Sequence, residues 1–345
     1  MTNRKVVLGL VVVALCALGL NARFGHSQEK ATVPGVQVHM VIAAEGLADD
    51  NEVATVKPNN VQVKQGKNVL KVNQLIPARG DNAALQLFIL IDETCDQSIG
   101  NNLNDIRDFV SALPATTVVG IGYMSNANVQ IVQNFTADHA LAAKAIRLPR
   151  GTLSSMDSPY LSLISLVKGW PEQKVRREVL MVTDGIDRLR GERPSSSLPP
   201  PGVPSRSRGV PVGGPNGGSL GMPTISVDAD PASMASQRSG VIVHSIYSPG
   251  VGRLGRNAWE AQLGQSGIAK IADETGGEYF ALGTLNPVSF KPYLDRLQKI
   301  FDNQYYLVFE ATPKKKAGLQ RVNISTPEPG IEIAAANNVW VPAAE

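Results

Sequence analysis

The chain has 345 residues, of which 43% are hydrophobic and 18% charged, a composition that excludes a disordered protein. The 33 basic and 30 acidic residues leave a formal charge of +3, and the sequence has no basic stripe with interleaved aromatic residues, so we expect no nucleic-acid partner. The sequence has two cysteines and four histidines with no Cys/His cluster, which argues against a structural zinc site.

The N-terminus has the pattern of an export signal. Arg4 and Lys5 give it a basic start, residues 6–20 are an unbroken apolar run, and polar and charged residues follow. The run is shorter than the roughly 20 apolar residues of a membrane span but suits a secretory signal. We therefore predict that residues 1–22 are a signal peptide or, alternatively, an uncleaved anchor that gives the chain its only membrane association. The predicted location is the periplasm or the extracellular space.

Short strands are predicted after this segment. Val36, Val38 and Met40 alternate with other residues, residues 61–64 repeat the period of two, and Asn and Gly residues between them supply turns. These patterns predict an N-terminal β region over residues 31–84.

From residue 85 onwards, apolar strands alternate with helices. Residues 85–91 are apolar on both faces towards their end, as in a central parallel strand. Further strands are predicted at residues 117–123, 129–135, 178–183, 241–247 and 278–281, and helices at residues 103–113, 137–146, 159–168, 258–274 and 290–301. This alternation predicts an α/β domain over residues 85–303 with a doubly wound, mostly parallel central sheet.

Two segments lie outside that alternation. Residues 191–240 are rich in Pro, Ser and Gly, and we interpret most of them as a mobile surface insertion. Residues 304–345 return to strand patterns. Since neither β segment alone makes a stable sheet with a covered face, we predict that residues 304–345 pack against the N-terminal β region.

Side chains with oxygen atoms lie in two loops that directly follow predicted strands and in one loop that precedes a predicted helix. We expect these three loops to meet at a single edge of the sheet. Ligands of open α/β sheets bind at the carboxyl ends of the strands, near the point where the strand order reverses. Hard oxygen ligands without His or Cys fit Mg²⁺ or Mn²⁺. The candidate metal ligands are Asp92, Thr94, Asp96, Ser98, Ser158 and Asp184.

The order of these residues resembles the metal-ion-dependent adhesion site of von Willebrand factor type A domains, over about residues 85–301. The β-rich flanks and residues 275–280 resemble the exported Acidobacterial group of proteins related to that family. The resemblance implies that Asp92 is the leading aspartate, Thr94 the first hydroxyl ligand and Ser158 the hydroxyl of the second loop. It implies that Asp184 reaches the metal, usually through water.

One position departs from the family pattern, because Asp96 stands where the family has a second serine. An additional anionic ligand would hold the ion more tightly and reduce its need for an external carboxylate. Alternatively, Asp96 turns outward and Ser98 supplies the oxygen. Purely structural roles also stay open, since Asp92 or Asp96 could cap the following helix, residues 183–185 form a common turn sequence, and Cys95 could be a packed small hydrophobe.

These features predict an exported protein-binding module of the adhesion type rather than an enzyme. A partner protein, engaged through one of its carboxylates, would contact Glu93, Gln97, Asp157 and Asp187 around the ion. A metal-free structural scaffold of the cell envelope is the alternative. A metal-assisted hydrolase is a further alternative, against which stand the lack of a His or Lys near the site and of a Gly-x-Ser-x-Gly motif.

Overall fold

A computed structural model describes residues 35–46, 56–57, 60–171, 173–189, 228–251, 258–283 and 285–344. The predicted signal or anchor segment, residues 1–22, and most of the predicted insertion lie outside these ranges. Residues Gly35–Glu345 belong to one compact unit, which contains both the α/β domain and the two β-rich flanks.

The strands of the described ranges are β1 Val36–Gly46, β2 Gln62–Gln65, β3 Asn68–Leu70, β4 Val72–Pro77, β5 Leu85–Asp92, β6 Thr117–Ser125, β7 Asn128–Thr136, β8 Arg176–Thr183, β9 Val241–Tyr247, β10 Tyr279–Phe280, β11 Gln304–Ala311, β12 Gly318–Arg321, β13 Asn323–Ser325, β14 Ile331–Ala335 and β15 Asn338–Val341. The α-helices are α1 Leu103–Ala112, α2 His139–Ala145, α3 Pro159–Gly169, α4 Ala229–Ser239, α5 Ala258–Thr275 and α6 Lys291–Asp302.

The central sheet has six strands in the order β10-β9-β8-β5-β6-β7. All neighbouring pairs are parallel except the edge strand β7, which runs antiparallel to β6. Counted along the chain, this is the doubly wound order of open α/β sheets, and the order reverses between β5 and β8. The predicted fold class is confirmed.

Helices cover both faces of this sheet. Leu87, Ile89 and Ile91 of β5 pack on one side with buried residues of α1, α2 and α6. Phe88 and Leu90 pack on the other side with buried residues of α3, α4 and α5. Since every residue of β5 is buried, this strand is the centre of the core, as its apolar run indicates.

Helix α4 corrects the predicted insertion, because residues 229–239 are a packed helix and not part of a mobile segment. Its buried residues include Ala229, Ala232, Ser233 and Ser236, and Gly240 ends it in the left-handed conformation at φ +64°. Because the buried face of this helix consists of small and polar residues, it forms no stripe of large apolar side chains. The sequence therefore lacks the hydrophobic periodicity that usually predicts a core helix. Residues 190–227 lie outside the described ranges.

Within the described ranges, the two β-rich flanks form three further sheets that share one hydrophobic core. Strand β1 lies between β11 and β14 in a four-stranded sheet, β2 pairs with both β3 and β13, and β12 pairs with β15. Ile42 and Val63 from the first flank share a core with Leu307, Phe309 and Val341 from the second. The prediction that the two flanks pack together is confirmed.

Within the described ranges, none of the helices combines the length and the apolar character needed to cross a membrane.

Candidate functional site

The carboxyl ends of β5 and β8 meet where the strand order reverses, and a buried hydrogen bond joins them. Thr183 Oγ1 donates to Asp92 Oδ2 at 2.6 Å. The other carboxylate oxygen of Asp92 accepts the backbone N–H of Thr94 at 2.9 Å, which folds the loop after β5 back over the strand end. The sequence predicts Asp92 at this edge, and the structure brings it against the end of β8.

Asp184 follows β8 directly and forms an ion pair that the sequence interpretation missed. Its Oδ2 accepts from Arg188 Nη2 at 2.8 Å, and the two side chains are only 0% and 2% exposed. Its Oδ1 accepts the backbone N–H of Ile186 at 2.9 Å. The second guanidinium nitrogen, Nη1, donates to the carbonyl of Ile186 at 3.2 Å. Asp184 and Arg188 therefore close the loop after β8 into a tight buried turn.

Two aspartates and one arginine at this edge are buried away from water, and their burial and mutual interactions shift their pKa values. Burial and the neighbouring carboxylate of Asp184 raise the pKa of Asp92 to about 6, although Arg188 and the hydrogen bond from Thr183 act in the opposite direction. Burial disfavours the charged form of Arg188, but Asp184 and Asp92 outweigh it, so the pKa of the guanidinium is raised above its usual value. Arg188 therefore keeps its charge, and that charge stabilises the ionised aspartates.

Thr94 and Cys95 belong to the loop after β5, and both are buried. Thr94 Oγ1 has no hydrogen-bond partner among the described residues, as expected of an oxygen able to coordinate an ion. Cys95 Sγ lies 3.7 Å from the carbonyl of Val182, and burial together with Asp92 and Asp184 raises the pKa of its thiol. A buried neutral thiol is a packed small hydrophobe, the role that the sequence analysis allowed for Cys95.

Two of the predicted ligands, Asp96 and Ser158, cap helices. Asp96 Oδ1 accepts the backbone N–H of Ser98 at 2.9 Å, at the start of the short 3₁₀ helix Gln97–Asn101, and Ser98 itself is exposed. Ser158 Oγ accepts the backbone N–H of Leu161 at 3.3 Å, at the start of α3, with Pro159 in the first turn. The capping role that the sequence left open for Asp96 is the one that the structure shows.

The four predicted partner contacts differ in exposure. Gln97 is exposed, whereas Glu93, Asp157 and Asp187 are buried. Glu93 Oε2 accepts from Arg147 Nη1 at 3.3 Å and from the backbone N–H of Arg150 at 2.7 Å. The carboxylate of Asp157 accepts the backbone N–H groups of residues 126 and 154 at 2.9 and 2.7 Å. These carboxylates hold loops together, and of the four residues Gln97 is the one at the surface.

Close backbone packing explains the glycine in the sequence 183–185. Gly185 has φ +72°, and a Cβ there would lie 2.3 Å from the carbonyl oxygen of Gly264 on α5. A Cβ on Gly264 would lie 2.3 Å from the carbonyl oxygen of Asp184. Tyr160 Oη of α3 donates to the carbonyl of Gly185 at 2.7 Å. Helices α3 and α5 thus clamp the loop that carries Asp184 and Arg188.

Exposed apolar side chains lie on two loops at the same edge, and we name these residues the apolar rim. One loop leads from α2 to α3 and is tied to the edge by the backbone N–H of Gly151, which donates to the carbonyl of Glu93 at 3.0 Å. The other follows β10 and is tied by Asn286 Nδ2, which donates to Asn102 Oδ1 at 3.1 Å. The apolar rim consists of Leu148, Leu153, Met156, Leu282, Leu285 and Val288.

The predicted Mg²⁺ or Mn²⁺ site fits these residues only in part. Thr94 Oγ1 suits an ion, and no three His, Cys, Asp or Glu side chains converge on a metal site in the described part of the chain, so an ion would depend on such hydroxyl ligands. The decisive misfit is Arg188, because its guanidinium already lies on Asp184 Oδ2. As arranged here, the residues do not fit a divalent ion. The sequence signal for this contact is that Arg188 stands four positions after Asp184, in a loop that also contains Asp187.

The strand order shows a doubly wound, mostly parallel α/β fold, which is the fold that the resemblance to von Willebrand factor type A domains implies. No protein-family model and no curated protein matches the chain. Among solved structures, it is similar to a von Willebrand factor type A protein from Catenulispora acidiphila, with 10% identity, a TM-score of 0.38, and coverage of 92% of this chain and 76% of that one.

Two further solved structures are similar. An aerotolerance-related membrane protein from Bacteroides fragilis NCTC 9343 has 13% identity and a TM-score of 0.39, with coverage of 64% of this chain and 99% of that one. The SpRpn10 VWA domain has 11% identity and a TM-score of 0.34, with coverage of 63% and 95%. At these TM-scores no residue role is transferred, and the roles given to the edge rest on the chain's own contacts.

Proposed function

We propose that this chain is a protein-binding module whose docking surface is the carboxyl edge of the central sheet, including the apolar rim. The observation that carries the proposal is the apolar rim itself. Six large apolar side chains lie exposed on two loops of one edge, and Val288 is 92% exposed. Several large apolar residues exposed on the loops of one edge are typical of interaction sites, whereas single ones are ordinary.

The loops beneath the rim supply a firm base for docking. Asp92, Asp184 and Arg188 hold the central loops through buried hydrogen bonds, and Glu93 and Asp157 hold the loop before α3. A surface that is already ordered loses little conformational entropy when a partner binds. We therefore expect the partner to present apolar side chains to the apolar rim. We also expect it to contact Gln97 and the exposed parts of Arg147 and Arg150.

The proposal assigns binding and no reaction to this edge. The described loops at the edge contain no His or Lys that would serve as a general base, and the Cys95 thiol is buried with a raised pKa. The metal-free scaffold of the sequence analysis is compatible with this surface, whereas the hydrolase alternative has no contact in its favour. Export to the periplasm or beyond remains part of the proposal and rests on the sequence of residues 1–22.

The test compares capture of envelope proteins by the immobilised full chain with capture by two variants. Leu282→Ser/Leu285→Ser/Val288→Ser removes half of the rim, and Val69→Ser removes an exposed apolar residue of strand β3 in the flank. We expect the rim variant to lose a defined partner at least about tenfold, which corresponds to about 1.4 kcal/mol, while Val69→Ser keeps it. Equal capture by the rim variant and the unmodified chain would rule out this docking surface.

A further inference from the structure

The positive charge that faces the buried aspartates is supplied by the chain itself. Arg188 Nη2 lies 2.8 Å from Asp184 Oδ2, and the electrostatic influence of Arg188 extends to Asp92 across the meeting point of β5 and β8. We infer that the Arg188 guanidinium takes the place of the divalent cation that the adhesion-site resemblance implies, so that this edge is a metal-independent form of the site.

The backbone directs Arg188 into this position. The N–H groups of Arg188 and Leu189 both donate to the carbonyl of Asp157, at 2.9 and 3.1 Å. These bonds tie the loop after β8 to the loop before α3, so that the side chain of Arg188 starts between the two loops and runs back to Asp184. A surface arginine that met a carboxylate by chance would lack both the backbone anchor and the burial.

A guanidinium and a divalent ion exclude each other here. Both need the carboxylate of Asp184, and two cations within a few ångströms repel strongly where water cannot screen them. Asp184 is fully buried and the side chain of Arg188 is 2% exposed, so neither group can swing into solvent without opening the loop. An ion would enter this site only if Arg188 left it.

The same geometry predicts what removal of Arg188 would leave. The carboxylates of Asp92 and Asp184 would then lose the guanidinium that faces them, and the hydroxyl of Thr94, which has no hydrogen-bond partner among the described residues, lies on the loop that starts at Asp92. Carboxylate and hydroxyl oxygens are ligands that Mg²⁺ and Mn²⁺ accept. A variant without Arg188 should therefore bind a divalent ion that the unmodified chain does not bind.

The inference rests on the proposed function only where it concerns the partner, since it implies that docking proceeds in the presence of a chelator. Arg188 acts there as a positioning residue, because it is buried and holds the loop after β8 through the carbonyl of Ile186. The cation question itself is answered by the full chain alone, without a partner, so the two proposals can fail separately.

The experiment titrates Mn²⁺ into the full chain and follows free Mn²⁺ by electron paramagnetic resonance. We expect no stoichiometric site in the unmodified chain. We expect one site in Arg188→Gln, at least about tenfold tighter than any background binding, and loss of that site in Arg188→Gln/Thr94→Val. Arg150→Gln is the matched control, since Arg150 is an exposed arginine beside Glu93 at the same edge, and it should gain no site.

Two results would overturn the inference. One is a stoichiometric Mn²⁺ site in the unmodified chain that Thr94→Val removes, and the other is a folded Arg188→Gln variant that gains no site. Circular dichroism establishes whether Arg188→Gln folds. If it does not fold, the comparison of the unmodified chain with Thr94→Val decides alone, because a bound ion in the unmodified chain contradicts the inference and its absence supports it.

Discussion

Arg188 and Arg150 both lie near carboxylates at the same edge, but their side chains differ strongly in exposure to solvent. The Arg188 side chain is 2% exposed against a fully buried Asp184, whereas the Arg150 side chain is 61% exposed and lies 4.0 Å from Glu93. Removing one member of a buried ion pair leaves the other charge without compensation, while an exposed partner is rehydrated. The two arginines should therefore differ in their contribution to stability.

Replacing Arg188 by methionine should lower the free energy of unfolding by about 3–5 kcal/mol, because Asp184 is left buried and charged. Arg150→Met should cost less than about 1 kcal/mol. Urea denaturation followed by circular dichroism measures both. The double variant Asp184→Asn/Arg188→Met should recover part of the loss, since it removes both charges. Equal losses for the two single variants would contradict the burial argument.

The residues of the edge differ in how far the sequence could predict them. Asp92 and Asp184 follow apolar strands directly, so their place at the carboxyl edge follows from strand period and topology alone. The partner of Asp184 could not be predicted, because it depends on the turn that brings Arg188 back along the loop and on its backbone bonds to Asp157. For Asp96 the sequence leaves capping and metal coordination open, because both use the same carboxylate oxygens, and the structure shows the capping contact to Ser98.

At the scale of elements, α5 holds the loop after β8 by direct backbone contact. A Cβ at Gly264 would meet the carbonyl oxygen of Asp184 at 2.3 Å, whereas a Cβ at Gly169, at the end of α3, would meet nothing within 4 Å. Substituting alanine at these two helical glycines therefore makes a matched comparison. The added methyl group meets backbone at Gly264 and open space at Gly169.

Gly264→Ala should destabilise the fold by about 1–3 kcal/mol, because either α5 or the loop must move to admit the methyl group. Gly169→Ala should be neutral or slightly stabilising, as expected where alanine replaces glycine without a clash. Thermal unfolding of both variants provides the measurement. A Gly264→Ala variant as stable as the unmodified chain would show that the contact between α5 and the loop is not tight.

The elements were predictable where their apolar pattern was strong. The strands at residues 85–91 and 241–247 and the helix at residues 103–113 carry clear periods of buried residues, and each is found close to its predicted bounds. Helix α4 was missed because Ala232, Ser233 and Ser236 fill its buried face with small side chains. The antiparallel direction of β7 was likewise not predictable, since alternation alone does not fix the direction of an edge strand.

At the scale of the whole molecule, the two ends of the described chain close on each other. Strand β1 pairs with β11 from Val36↔Ala311 to Ala43↔Gln304 and with β14 on its other side. Their shared core includes the fully buried Phe309. The pairing of the two flanks therefore depends on residues more than 250 positions apart. Neither flank covers its apolar face without the other.

Phe309→Ala should reduce the free energy of unfolding by about 3–5 kcal/mol, as for other large aromatic residues removed from a core. Val69→Ala, at an exposed position of β3, should change it by less than about 0.5 kcal/mol. Denaturant titrations of the two variants compare them directly. If Phe309→Ala were as stable as Val69→Ala, the shared core of the flanks would contribute little.

The most direct test of the docking surface is site-specific photo-cross-linking in the producing cell, with benzoylphenylalanine at Val288 in the apolar rim and, separately, at Val69 in the flank. We expect one cross-linked protein at Val288, unchanged when a chelator is added before illumination, and none of that protein at Val69. A cross-link that forms equally at both positions, or no cross-linked protein at Val288, would contradict the account.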